Sequence, residues 1–172
     1  FYNSIPVQED KKQNLADYLQ SCVSGRYELG KVISEGSTVI IFKAREVFAN
    51  REVAIKVLKQ SDIDKKAVLE EIKRLAKLKH RGITRIFDTY FEKYPYFVVT
   101  EYVKGINLQK MMARSGYFSY YMTVEILREL CELLEYARRW DVLYPVIRPS
   151  KVILDEEGYP MISPFSVLRT KN

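Results

Sequence analysis

The sequence has 172 residues, of which 47% are hydrophobic and 13% aromatic, with 28 Lys and Arg against 22 Asp and Glu. This composition supports one sizeable core and excludes disordered, collagen-like and low-complexity chains. The longest apolar runs are far shorter than the roughly 20 residues that span a bilayer. Two cysteines and one histidine form neither a disulfide framework nor a metal-ligand spacing. We therefore predict a cytoplasmic chain with no metal site among its histidines and cysteines and no membrane span.

The net charge of +6 does not by itself indicate nucleic-acid binding. Basic residues between positions 62 and 79 alternate with acidic ones, which is typical of a solvated helical face. A basic stripe with interleaved aromatic residues is not visible, so we predict no nucleic-acid partner. Phe1 stands where an initiator Met would be expected, and we expect the chain to be a segment of a longer protein.

The first half of the chain has the pattern of one short helix, a sheet and one major helix. Leu15, Tyr18 and Leu19 lie at helical spacing in a polar stretch that ends near Ser24-Gly25. Runs rich in Val, Ile and aromatic residues predict five strands, the first three forming an antiparallel meander. The predicted elements are a helix at 8–21, strands at 27–34, 37–45 and 52–58, a helix starting at Ser61 or Asp62 and reaching about Lys79, and strands at 86–92 and 96–101.

After Gly105 the pattern becomes mainly helical. We predict helices at 107–114 and 123–140, followed by a small hairpin of strands at 152–154 and 160–162. The longer helix has an apolar stripe too wide for packing against a single neighbour. This helix is therefore expected to be covered on more than one side.

Two charged residues occupy unusual positions in these patterns. Lys56 lies between apolar neighbours in the third strand, and Glu71 lies on the flank of the apolar stripe of the major helix. Buried charges usually need partners, and each is the simplest partner for the other. The alternative is that Lys56 lies on a sheet edge and Glu71 lies in solvent.

The motifs around these residues resemble those of a eukaryotic-type Ser/Thr protein kinase from Tyr27 to Ser166. Val-Ala-Ile-Lys at 53–56 matches the strand that carries the phosphate-pairing lysine, and Glu71 matches the helix glutamate. Residues 100–103 resemble the gatekeeper and hinge, 144–155 the catalytic loop and the strand after it, and 162–166 the Asp-Phe-Gly segment. The resemblance implies an α+β fold: a five-stranded antiparallel N-lobe sheet with one major helix, then a partial, mainly helical C-lobe. The implied division is 1–26 as a helical extension, 27–103 as N-lobe with hinge, and 104–172 as a truncated C-lobe.

The same comparison places three unsuitable residues at the catalytic positions. Val146 stands where the family has its catalytic base, Lys151 where it has a metal-binding Asn, and Pro164 where it has a metal-binding Asp. A hydrocarbon cannot accept a proton, and an ammonium repels Mg²⁺. The resemblance thus implies a catalytically inactive pseudokinase, not an enzyme. The remaining carboxylates nearby, at 155–157, match an ordinary turn.

A nucleotide could still bind where the family binds one. The resemblance implies that ATP or ADP could be held without Mg²⁺, and Arg148 could add a phosphate contact. Of the family's glycine-rich loop only Gly36 remains, and a single glycine is weak evidence for phosphate binding. The alternative function is therefore a metal-independent nucleotide sensor that retains the Lys56–Glu71 pair. In a purely structural interpretation, which we slightly favour, the pair fixes the major helix to the sheet and binds no ligand. The candidate nucleotide residues are Gly36, Ala54, Lys56, Glu71, Glu101 and Val103.

The main function that the resemblance implies is protein–protein interaction, as a scaffold, an allosteric subunit or a dimerising element in signalling. Only seven residues follow Phe165, so the helix that would cover the long helix in family members is missing. Exposed apolar surface usually marks an interface, and we expect Leu127, Leu130 and Leu134 to anchor it. The occupant could be a second copy, a partner chain or the N-terminal helix. Alternatively, the missing helices belong to the parent protein.

Overall fold

The computed structural model describes residues 7–142 and 147–163. Within this part the chain forms two compact units, one of residues up to 61 with 88–99, and one of residues 62–87 with those from 100 onward. These units differ from the predicted segments 1–26, 27–103 and 104–172. The elements are α1 Val7–Val23, β1 Tyr27–Glu35, β2 Val39–Glu46, β3 Arg51–Leu58, α2 Lys65–Leu75, β4 Ile86–Tyr90, β5 Phe97–Glu101, β6 Gly105–Asn107, α3 Leu108–Ser115, α4 Tyr120–Arg138, a 3₁₀ turn Pro149–Lys151, β7 Val152–Asp155 and β8 Pro160–Ile162.

Five of the strands form one sheet in the order β1-β2-β3-β5-β4. The β1–β2 and β2–β3 pairs are antiparallel, and the second runs without a break from Val39 opposite Leu58 to Glu46 opposite Arg51. The pairing of β1 with β2 shifts register twice between Leu29 and Ser34. The predicted meander and five-stranded α+β sheet are confirmed.

The N-terminal helix is packed on the edge strand of this sheet. Leu19 and Val23 are buried, and the Gln20 side chain bonds to the β1 backbone at two points. Its Nε2 donates to the Tyr27 carbonyl at 3.1 Å, and its Oε1 accepts from the Leu29 amide at 2.7 Å. A side chain that occupies backbone groups of an edge strand protects that edge from pairing with another chain. The helix therefore packs on the first unit, and the predicted division at residue 26 stays a prediction.

Helix α2 begins later and ends earlier than the sequence pattern predicts. Its N-cap is Asp64, whose carboxylate accepts from the Ala67 amide at 3.1 Å, and not Ser61 or Asp62. Past Leu75 the amides of Lys77 and Leu78 donate three residues back, so the helix turns into tighter structure. Leu78 is nevertheless buried, because the turn still points it into the core of the second unit.

The core of the second unit is built around α4, which begins at Tyr120 instead of the predicted residue 123. The hydroxyl of Ser119 caps it by accepting from the Met122 amide at 3.2 Å. The helix contributes four buried residues that pack with side chains from α3, β7, β8 and the segment after α2. The four are Ile126, Leu130, Leu133 and Ala137.

The three predicted interface anchors of this helix differ in burial. Leu130 is 7% exposed and belongs to the core of the unit, and Leu134 is partly buried against that core. Leu127 is 55% exposed. Leu130 is therefore unavailable as a surface anchor, because it faces the same core as Ile126 and Leu133. No helix in the described part of the chain is long and apolar enough to cross a membrane.

Candidate nucleotide site

Lys56 is a buried cation on an interior strand of the sheet. It lies on β3, which has β2 on one side and β5 on the other, and its register partner on β2 is Ile41. The residue is 7% exposed, and its neighbours Ile55 and Val57 are 0% and 1% exposed. Both faces of β3 are thus covered, and the alternative that Lys56 lies on a sheet edge is wrong. An ammonium in such surroundings is costly to bury without compensating negative charge.

Two other candidate residues lie in the same unit. Ala54 is 5% exposed on β3, opposite Lys43 of β2. Gly36 lies in the exposed β1–β2 connection, where its amide donates to the Val39 carbonyl at 2.9 Å. A Cβ added to Gly36 would have its nearest neighbour at 3.7 Å, so neither the turn nor close packing requires a glycine there.

Glu71 has a partner on its own helix. It is half-buried on α2, and its Oε2 accepts from the Arg74 guanidinium in an i,i+3 ion pair. The predicted pairing of Glu71 with Lys56 stays a prediction.

The hinge residues lie beside a small acidic cavity in the second unit. Glu101 ends β5, where its amide donates to the Arg85 carbonyl at 2.8 Å and its carboxylate accepts from the Arg85 amide at 3.2 Å. Val103 is half-buried. The cavity measures about 270 Å³, and it is lined by Glu101, Tyr102, Val103, Lys104, Asp155, Glu156, Glu157 and Met161.

A strand that sequence patterns missed connects the hinge to the hairpin. Residues Gly105–Asn107 form β6 and pair antiparallel with β7, Gly105 lying opposite Asp155. A Cβ at Gly105 would lie 2.0 Å from the Leu154 carbonyl oxygen. Gly105 is the sequence feature that could have indicated this strand, because a glycine lets the β6 backbone come closer to β7 than any side chain would allow.

The Asp155 side chain stabilises the turn between β7 and β8 by hydrogen bonds to its backbone. Its Oδ1 accepts from the amides of Glu157 and Tyr159 at 2.9 and 2.8 Å. This is the geometry of an Asx turn, and the turn assignment for these carboxylates is confirmed.

A side-chain network around Tyr159 was also missed. The Arg81 guanidinium lies 4.2 Å from the centre of the Tyr159 ring and forms an ion pair with Glu157. Burial, followed by a hydrogen bond to Glu129 and the charge of that carboxylate, raises the pKa of Tyr159 to about 12. The network connects the segment after α2, the β7–β8 turn and α4. Because these segments are distant in sequence, no local sequence pattern predicts it.

The residues at the family's metal positions do not fit Mg²⁺. Lys151 is exposed at the end of the 3₁₀ turn Pro149–Lys151, and a protonated amine has no lone pair to offer a cation. Val146 and Pro164 lie outside the described residues, and neither side chain carries a ligand atom. Among the described residues, no three His, Cys, Asp or Glu side chains are grouped to hold a metal ion.

Comparison with known proteins identifies the family. The model of the protein kinase domain matches residues 27–170. The chain is 28% identical over 152 residues to CBL-interacting serine/threonine-protein kinase 12 of Arabidopsis thaliana, which covers 86% of this chain and 31% of that protein. It is 26% identical over 149 residues to serine/threonine-protein kinase PrkC of Bacillus subtilis strain 168, covering 84% of this chain and 23% of that protein. The chain thus spans a third or less of the curated relatives that it matches.

These findings correct one prediction from the sequence. The substitutions at Val146, Lys151 and Pro164 led us to expect that the chain is not an enzyme, and that expectation is wrong. The matched proteins are named serine/threonine protein kinases, and the family is one of enzymes. The expectation relied on three positions, whereas the similarity to the kinase domain extends over residues 27–170. The chain belongs to the protein kinase domain family.

Proposed function

We propose that this chain is the nucleotide-binding part of a protein-kinase-type signalling protein and that Lys56 binds the phosphates of ATP or ADP. The observation that carries the proposal is the burial of Lys56 at 7% exposure on interior strand β3. A lysine ammonium in a low-dielectric setting is favoured when an anion lies close to it. The phosphates of a nucleotide are such an anion, and the Val-Ala-Ile-Lys motif supports this assignment.

The names of the relatives extend the proposal to a reaction. Serine/threonine protein kinases transfer the terminal phosphoryl group of ATP to a hydroxyl, a reaction that depends mainly on positioning and electrostatic stabilisation. We assign the binding step to residues of this chain. Transfer itself would be measured as label moving from ATP to a serine- or threonine-containing protein, above the background of the Lys56→Met variant.

The test of binding is a nucleotide titration followed by calorimetry and by the melting temperature. We expect ATP and ADP to raise the melting temperature of the wild-type chain, since a ligand that binds only the folded state stabilises it. Lys56→Met should abolish that shift, because it keeps the apolar stem and removes the charge. Lys31→Met, which changes an exposed lysine on β1, is the control and should keep it. Absence of a shift for the wild-type chain at millimolar nucleotide would refute the proposal.

A second candidate function is self-association through α4. Val124 and Leu127, one turn apart on the helix, are 41% and 55% exposed, and Tyr120 is 86% exposed. An apolar row of this kind is buried when a second copy packs against it. Light scattering should then give the mass of a dimer for the wild-type chain and of a monomer for Leu127→Glu, with Tyr117→Glu, at another exposed site, as the control. A wild-type monomer at high concentration would exclude this function.

A further inference from the structure

Gln20 of α1 covers two backbone groups at the free edge of β1. This strand pairs with β2 on one side only, so its other side is an edge of the sheet. The Arg26 carbonyl accepts from the Val47 amide just past β2, at 2.9 Å. Because successive residues of a strand face opposite sides, the backbone groups of Tyr27 and Leu29 face the edge. The Tyr27 carbonyl and the Leu29 amide both bond to Gln20, so one side-chain amide replaces the peptide group of a neighbouring strand.

The covered stretch is the regular part of β1. Residues Tyr27, Glu28 and Leu29 pair with β2 in one unbroken register. Beyond Leu29 the register shifts twice before Ser34, and irregularities of this kind keep an edge strand from pairing with another chain. The part of β1 that irregular pairing does not protect is therefore the part that Gln20 covers.

The two covered groups are complementary to themselves. If two β1 strands lie antiparallel about a two-fold axis at Glu28, the Tyr27 carbonyl of each copy faces the Leu29 amide of the other. A second copy would thus satisfy the same two groups that Gln20 satisfies in the single chain. The arrangement also places the two Glu28 side chains opposite each other, and like charges at opposed positions of neighbouring strands destabilise the pairing. Gln20 and Glu28 therefore both oppose self-pairing of this edge.

We propose that the contact of α1 with β1 is autoinhibitory, because Gln20 keeps the β1 edge from pairing with the β1 edge of a second copy. Residues 24–26 alone connect α1 to β1, and Gly25 in this connection has a φ of 82°, a conformation that glycine adopts without strain. Among the described elements, β1 is the one that α1 contacts most. Release of the helix thus requires a change in this connection and not in the sheet. The inference depends neither on nucleotide binding nor on self-association through α4.

The first measurement is the mass of the chain by light scattering in a Leu127→Glu background, which removes association through α4. With Gln20 intact, this background should be monomeric at every concentration. Gln20→Met keeps the length of the side chain and removes both hydrogen-bonding atoms, so it should form a dimer as concentration rises. Adding Leu19→Ala should favour the dimer further, since Leu19 is a buried residue of α1. Ser21→Ala, at an exposed site on α1, is the matched control and should stay monomeric.

The second measurement is amide hydrogen exchange, which identifies the surface of the dimer. The Leu29 amide should exchange roughly 10-fold faster in the Gln20→Met monomer than in the background chain, the value of one lost hydrogen bond. At high concentration, pairing with a second copy should protect it again. Adding Glu28→Gln to Gln20→Met should strengthen the dimer by roughly 2- to 5-fold, the value of one like-charge cross-strand pair.

The possible results bear on separate parts of the proposal. A dimer of the background chain with Gln20 intact would refute the inhibitory role of α1, as would monomers of the Gln20→Met variants at the highest concentration. A dimer in which the Leu29 amide stays unprotected, or one that Glu28→Gln weakens, would refute pairing of β1 about Glu28. If circular dichroism shows that Leu19→Ala unfolds the chain, Gln20→Met alone decides, because Gln20 is only half-buried.

Discussion

Two glycines at or beside candidate nucleotide residues differ in whether the structure leaves room for a side chain. Gly105 follows the hinge, and its backbone approaches β7 so closely that a Cβ would meet the Leu154 carbonyl oxygen at 2.0 Å. Gly36 is the remaining glycine of the family's phosphate loop, yet an added Cβ there would have 3.7 Å of room. Gly36 is a candidate because of its motif, whereas packing makes Gly105 the constrained position.

Gly105→Ala should therefore destabilise the chain and Gly36→Ala should not. The methyl group at 105 forces β6 away from β7, and overpacking of this kind costs about 3 kcal/mol in the free energy of unfolding. At 36 the change should stay within about 0.5 kcal/mol, as for an exposed substitution with no special role. Urea denaturation of the two variants measures both values. Equal losses for the two variants would contradict the packing argument.

Local signals in the sequence predict most of the helices and strands. Runs rich in Val, Ile and aromatic residues place β1 to β5 correctly. Strand β3 is buried on both faces and is accordingly almost continuously apolar. Helix α2 was predicted too long at both ends. Several acceptable N-caps precede it, and the choice of Asp64 over Asp62 depends on where the chain turns to bury Ile72 and Leu75. Tertiary context, not propensity, sets that boundary.

Elements that depend on contacts between distant segments could not be predicted. Strand β6 is three residues long and exists because β7 lies beside it. The network of Arg81, Tyr159 and Glu129 joins segments that are far apart in the chain. For the candidate site, Lys56 could be recognised because burial and motif coincide on one strand. The apolar stripe of α4 was identified correctly, but its division into a core side with Leu130 and an exposed side with Leu127 required the packed structure.

Two tyrosines with raised pKa values, Tyr27 and Tyr159, contribute to how the stability of the whole chain responds to alkaline pH. Burial raises the pKa of Tyr27, and the nearby Asp88 adds to the effect. Burial and Glu129 raise the pKa of Tyr159 to about 12. An unfolded tyrosine titrates near pH 10. Between that pH and the higher folded pKa, the unfolded chain binds fewer protons than the folded chain. The free energy of unfolding must then fall as pH rises.

We expect the urea midpoint of the wild-type chain to decline from about pH 10 toward pH 12, with these two groups contributing to the slope. Tyr159→Phe removes one raised-pKa phenol and should make the decline shallower, although it lowers stability at neutral pH because the bond to Glu129 is lost. Tyr117→Phe is the control, since that side chain is 85% exposed and folding changes its surroundings little. If Tyr159→Phe and Tyr117→Phe decline with the same slope as the wild-type chain, Tyr159 does not link proton release to unfolding, and the Glu129 contact does not stabilise its protonated form.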